Sequence, residues 1–187
     1  MGKFLTGASR IKQTYRRRVW SLIDNELYRD DSGEIYLAPR SMYTDNYTIP
    51  MWIAIFAGSP VDYDVRASHI HDLGCFTHQI VAVELTETEL KSRGFLKFNE
   101  KADMWICENI PEEYLYVKDV GKKEINDIFN RCMKACNIPT FNRIMYRLGV
   151  CFNFMFYVDD WLGRVFKIDL SQIYNESWWD SKVWYKK

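Results

Sequence analysis

The chain has 187 residues, of which 48% are apolar and 16% aromatic; that is too rich in large side chains for a disordered chain and long enough to bury a core of its own. Twenty-five Lys and Arg balance 25 Asp and Glu, so no global field points to nucleic acid or a membrane surface. No run approaches the ~18 consecutive apolar residues of a membrane span, and the basic N-terminus lacks the apolar stretch of a signal peptide.

The charge is uneven along the chain. Residues 1–18 hold Lys3, Arg10, Lys12, Arg16, Arg17 and Arg18 and no acid, leaving 19 basic against 25 acidic side chains in the rest. This reads as a short basic arm, residues 1–18, on a mildly acidic body, residues 19–187. Such an arm is either solvated or placed to touch phosphates, so nucleic-acid contact is expected only through residues 3–18.

The elements follow in chain order. Val19 to Ile23 and Ile35 to Ala38 are short apolar runs flanking the turn cluster 29–33, which predicts a β-hairpin ended by Pro39. Residues 41–50 form a polar loop. Pro50 suits the first turn of a short helix from Met51 to Phe56, and Gly58, Ser59 and Pro60 break it. A second helix is expected over 62–78 with Asp62 as its N-cap. Gln79 to Leu85 reads as a strand. Thr86 and Glu89 have capping-box spacing for a short helix. Gly94 to Phe98, Trp105 to Cys107 and Tyr114 to Val117 read as further short strands.

Over 122–137, Ile125, Ile128, Phe129, Cys132, Met133 and Cys136 recur at steps of three and four, one face of an amphipathic helix stopped by Asn137 and Pro139. A more apolar helix is expected over 141–156, carrying Ile144, Leu148, Cys151, Phe152 and Met155. A closing strand is expected where Phe166, Ile168 and Leu170 alternate with Lys167 and Asp169. Strands mixed with helices, without regular βαβ alternation, predict a single α+β domain. The five cysteines, Cys75, Cys107, Cys132, Cys136 and Cys151, are an odd number in a chain of this size and read as free thiols.

All three histidines, His69, His71 and His78, fall within ten residues. On a helix His71, Cys75 and His78 share a face at i, i+4 and i+7, a spacing that presents two imidazoles and a thiolate to a divalent metal. His71 is followed by Asp72, and Asp45 stands on the preceding loop. An imidazole between carboxylates ligates a metal or acts as a general base. The competing interpretation is a set of satisfied polar side chains capping the two helices. The chain has no HExxH, paired CxxC, Gly-rich phosphate loop or GxSxG elbow. Trp178, Trp179, Trp184 and Tyr185 form an aromatic tail, which is either a contact surface or a segment folded back over the domain.

Three short motifs in order carry a resemblance. Thr44, Asp45, Thr48 and Pro50 fit a Thr-Asp-x-x-Ser-x-Pro loop with threonine at the serine position. His71 and Asp72 fit a His-Asp pair on a helix. Asp127, Phe129 and Met133 lie in a segment similar to an Ala-Asp-x-x-Phe-x-x-x-Met helix, with Asn126 in place of alanine. Over roughly residues 16–150 the chain thus resembles domain of unknown function 1353, a family found mainly in tailed bacteriophages and prophages. It departs by a long stretch between the second and third motifs and by Met51 where arginine is frequent.

The resemblance implies a shared fold and a phage-encoded protein, in the infected host's cytoplasm or the virion. It implies partners among phage or host proteins and no assigned activity. It adds Asp127 to Asp45, His71 and Asp72 as a catalytic candidate, although at ~100° per residue Asp127 lies ~200° from Ile125, off the apolar stripe. Two functional expectations follow. One is a virion- or tail-associated contact protein with an oligomer among its forms. The other is a metal-dependent hydrolase with Asp45, His71 and His78 as ligands, in which the metal activates a water.

Overall fold

A computed structural model describes residues 2–14, 20–44, 64–149 and 166–182. Asp45, the expected helix 51–56, Asp62, Cys151, Trp184 and Tyr185 lie outside the described residues. The chain is an α+β domain in which every paired strand is antiparallel.

The main sheet has five strands. Strand β1 (Lys3–Phe4) pairs with β4 (Glu26–Arg29), β4 with β5 (Ile35–Ala38), β5 with β7 (Gln79–Val83), and β7 with β10 (Leu115–Asp119). A second sheet joins β2 (Ile11–Gln13), β3 (Trp20–Leu22) and β6 (Tyr43–Thr44). Strands β8 (Leu96–Asn99) and β9 (Met104–Cys107) form a separate pair. The helices are α1 (Arg66–Thr77), α2 (Glu87–Ser92), α3 (Lys122–Ala135), α4 over residues 140–149, and α5 (Glu176–Lys182). Among the described residues, no helix is long and apolar enough to cross a membrane.

Four sequence expectations change in the fold. The hairpin exists, but Ile35–Ala38 pairs with Glu26–Arg29, while Trp20–Leu22 goes to the second sheet. Glu26 and Arg29 disguise the β4 strand, because a charged residue at each end hides an otherwise buried run. The described part of the N-terminal segment is woven into both sheets. Leu5 is 6% exposed, its N–H donates to the Leu27 carbonyl at 2.8 Å, and Lys3, Arg10 and Lys12 pair with Glu87, Asp24 and Glu176. Gly2 is required by this approach, since a Cβ there would fall 2.2 Å from the Tyr28 hydroxyl.

The third change is in α4, where Ile144 and Leu148 face outward and Tyr146, at 0% exposure, fills the core. The fourth is at 166–169, which follows the expected alternation of exposure but joins no ladder. There the Ile168 N–H donates to the Gln79 side chain at 2.8 Å, Lys167 reaches Asp119 at 2.7 Å, and Leu170–Gln172 closes as a 3-10 turn.

Other elements form as their residues require. Thr86 caps α2, accepting from the Glu89 N–H while the Glu89 carboxylate accepts from the Thr86 N–H at 2.9 Å. Helix α3 buries Ile125, Ile128, Phe129, Cys132 and Met133 and ends where Asn137 turns left-handed at φ 58°. Cys75, Cys107, Cys132 and Cys136 are free thiols.

Helix α1 is the element that positions the site. It packs against β5 and β7 of the main sheet, β6 of the second sheet, and α3. Residues 67–74 are consequently buried all round, polar and apolar alike. Gly74 permits the approach of α3, because a Cβ there would lie 3.0 Å from the Ile125 side chain.

Candidate functional site

Helix α1 carries its chemistry on two sides. His69 and His71 are two residues apart, so they point ~200° from one another. His69 faces the main sheet. Its Nδ1 lies 2.8 Å from the Glu26 carboxylate on β4, with the two side chains 0% and 3% exposed. Burial alone lowers the His69 pKa, but the Glu26 carboxylate outweighs it and the net shift is upward. This pair ties helix to sheet, and an uncompensated partner left behind in it would be costly.

His71 faces α3. Its ring packs on Phe129 with centroids 4.4 Å apart. Nδ1 lies 3.6 Å from Asp72 Oδ1, and Cys75 Sγ lies 3.3 Å from Nε2. Burial opposes the charged imidazole, yet the adjacent Cys75 sulfur and Asp72 carboxylate prevail and push His71 up to about 10. Asp72 in turn accepts from the Thr44 hydroxyl at 2.5 Å. That bond brings the end of β6, the residue next to Asp45, onto the helix beside His71.

The N-terminus of α1 is held by Arg66. Its guanidinium pairs with Asp64, donates to the Thr6 and Gly7 carbonyls at 2.6 and 2.9 Å, and lies 4.5 Å above the Phe4 ring. Burial would raise the Asp64 carboxyl, but Arg66 holds it below the usual carboxylate range.

The structure brings together only part of the expected set. His71, Asp72 and Cys75 are neighbours, with Thr44 as a fourth. His78 leaves the helix face: it caps α1 in a left-handed conformation, φ 52°, and its carbonyl accepts from the Val120 N–H at 2.9 Å. The i, i+7 relation to His71 therefore does not apply to it. Asp127 points away from the core and pairs with Arg147 of α4 at 3.0 Å. Among the described residues, no group of three or more His, Cys, Asp and Glu side chains is arranged to hold a metal ion.

The described part of the tail, through Lys182, folds back. Trp179 is 1% exposed and donates Nε1–H to the Ile173 carbonyl at 2.7 Å. Trp178 stays half-buried, edge-on to Phe166 and Trp179. Glu176 and Asp180 of α5 reach Lys12 and Tyr43 of the second sheet.

Glu26 escaped the sequence reading and Thr44 entered it only as part of a motif, because the partners they meet, His69 and Asp72, lie 43 and 28 residues away. The one local signal was an acid at the head of an apolar run, Glu26 before Leu27 and Tyr28.

A family model described as "Protein of unknown function (DUF1353)" matches residues 20–150. No curated protein and no solved structure matches the chain. The matched span holds β3 to β10, α1 to α4 and both faces of the polar cluster, and on that match the chain belongs to the DUF1353 family.

Proposed function

We propose that this family member works by contact, as a phage-encoded component that docks on another protein of the virion or tail, or on a host protein. The observation that carries this reading is the outer face of α4. Phe141, Ile144 and Leu148 recur at steps of three and four and are 58%, 54% and 43% exposed, while Tyr146 of the same helix is fully buried. The helix thus presents two apolar faces and spends one on its own core. A one-sided apolar stripe on a rigid helix is the form in which helices are recognised by a groove or a second helix.

The test is the double substitution Ile144→Lys with Leu148→Glu in the full chain. Both positions are exposed, so the melting temperature is expected to hold while co-sedimentation with purified phage particles is lost. A folded double variant that co-sediments as the wild type does would overturn the reading.

A second reading, hydrolysis at Asp45, His71 and Asp72, is favoured by the Thr44 to Asp72 bond that joins the 40s segment to the helix. Metal content and esterase and phosphatase assays on the wild type against Asp45→Ala separate the two. Stoichiometric metal together with turnover, both lost in the variant, would favour the second.

A further inference from the structure

Helix α4 carries charge of one sign. Residues 140–149 hold Arg143 and Arg147 and no acid. At ~100° per residue both arginines fall on the same border of the apolar stripe. Measured from Ile144, Leu148 and Phe141 lie ~40° and ~60° to one side, and Arg147 and Arg143 lie ~60° and ~100° to the other. Met145 stands at the opposite border, so one edge of the stripe is basic and the other apolar.

The fold itself uses little of this charge. Arg147 pairs with Asp127 at 3.0 Å, but the two side chains are 46% and 37% exposed, and a pair so open to water stabilises little. Arg143 donates through Nη2 to the Thr140 hydroxyl at 2.9 Å, a neutral acceptor, and its Nε finds no acceptor among the described residues. The border therefore holds two guanidinium groups against one carboxylate.

A second copy of this helix does not supply the missing charge. Two stripes facing one another antiparallel about a two-fold axis set their arginine borders side by side, and two parallel stripes set arginines against Met145. Neither arrangement brings an acid of α4 onto the arginines, since α4 has none.

We infer that α4 docks an amphipathic helical segment of another protein, one that carries carboxylates along an edge of its apolar face. This rests on the contact reading above and gives that partner its chemistry. The segment's apolar side chains cover Phe141, Ile144 and Leu148, which stand at i, i+3 and i+7, the spacing by which helices seat in one another. Its carboxylates accept from Arg143 and Arg147, whose planar forks suit bidentate pairing. Charge at such a rim selects the partner and fixes its orientation more than it adds affinity.

The experiment uses the full chain and two synthetic helical peptides as probes, with fluorescence anisotropy as the readout. Both peptides carry leucines at i, i+3, i+4 and i+7; one has glutamates along the border of that stripe and the other has lysines in their place. The glutamate peptide is expected to bind roughly tenfold more tightly, a preference that shrinks as salt is added. Arg143→Gln with Arg147→Gln should erase the preference. Equal binding of the two peptides by the wild type, or binding of neither, would overturn the inference, and that comparison stands even where the double variant fails to fold. Binding to phosphatidylglycerol vesicles without binding to the glutamate peptide would overturn it in favour of an anionic lipid surface. The contact reading is judged separately: if Ile144→Lys with Leu148→Glu still abolishes co-sedimentation with particles while the peptides show no preference, contact stands and the acidic partner falls.

Discussion

Helices α1 and α3 lie against one another and are built on opposite rules. Helix α3 has one apolar stripe, and its polar residues, Asp127 among them, stay at the surface. Helix α1 has no such stripe: it buries Ser68, His69, His71 and Asp72 along with Ala67, Ile70 and Leu73, and Ser68 and His69 as deeply as the apolar three. The difference shows where stability comes from in each. Helix α3 is held by the removal of apolar area from water, which any snug neighbour supplies. Helix α1 depends on particular partners, because each buried polar group must find one.

The largest break in this contrast is expected at the buried ion pair. Glu26→Ala leaves His69 enclosed without its carboxylate and should cost about 3–5 kcal/mol, read as a lower urea midpoint. An effect below ~1 kcal/mol would show that the pair contributes little and that α1 is held by its apolar residues after all. On the α3 side, Ile128→Ala removes a side chain that is 1% exposed and should cost about 3 kcal/mol through transfer and cavity terms. The same measurement compares the two helices directly.

Thr44→Val keeps the shape of the side chain and removes its hydroxyl bond to Asp72, for an expected loss of about 1–3 kcal/mol. Its sharper readout is proteolysis: cleavage after the second sheet should rise before global unfolding, because this bond is one tether of β6 to α1. Unchanged cleavage would place the tether elsewhere.

The smallest and most selective test is pH. Both His69 and His71 are raised above their ordinary value of 6.5, His71 to about 10. A raised histidine stabilises fully below the unfolded pKa and loses that stabilisation as pH rises through the folded one. The melting temperature should therefore fall between pH 6.5 and 10, by on the order of 1 kcal/mol or more in stability. Glu26→Ala should flatten that dependence and Ile128→Ala should leave its slope unchanged. Equal slopes in all three proteins would remove the His69–Glu26 pair as a contributor.

Much of the fold was legible locally. The period-3.6 stripe of α3, the Thr86–Glu89 capping box, the β7 run from Gln79 and the strands at 96–99 and 104–107 were all written in neighbouring residues. The strand β4 was not, since Glu26 and Arg29 make sense only opposite His69 and Glu87. The start of α1 was placed too early: it begins at Arg66, where the Asp64 side chain accepts from the Arg66 N–H at 3.0 Å. Of the candidate site, the His71–Asp72 pair was visible by adjacency and Cys75 by helical spacing. The departure of His78 was hidden, because a left-handed turn at a helix end carries no sign when the residue is not glycine or asparagine.

By itself, the order of residues determined that α1, α2 and α3 wind, that the segments of β3, β5, β7, β8, β9 and β10 extend, and which side chains of α3 share a face. Those are properties of a few consecutive residues and their periodicity. Only the tertiary structure decided that the basic N-terminal strand closes the main sheet, that Trp179 belongs to the core, and that one histidine of α1 meets a carboxylate while the other meets a thiol. Each of these is a contact between segments remote in sequence, and its sign depends on which groups share a dry space, something no local pattern encodes.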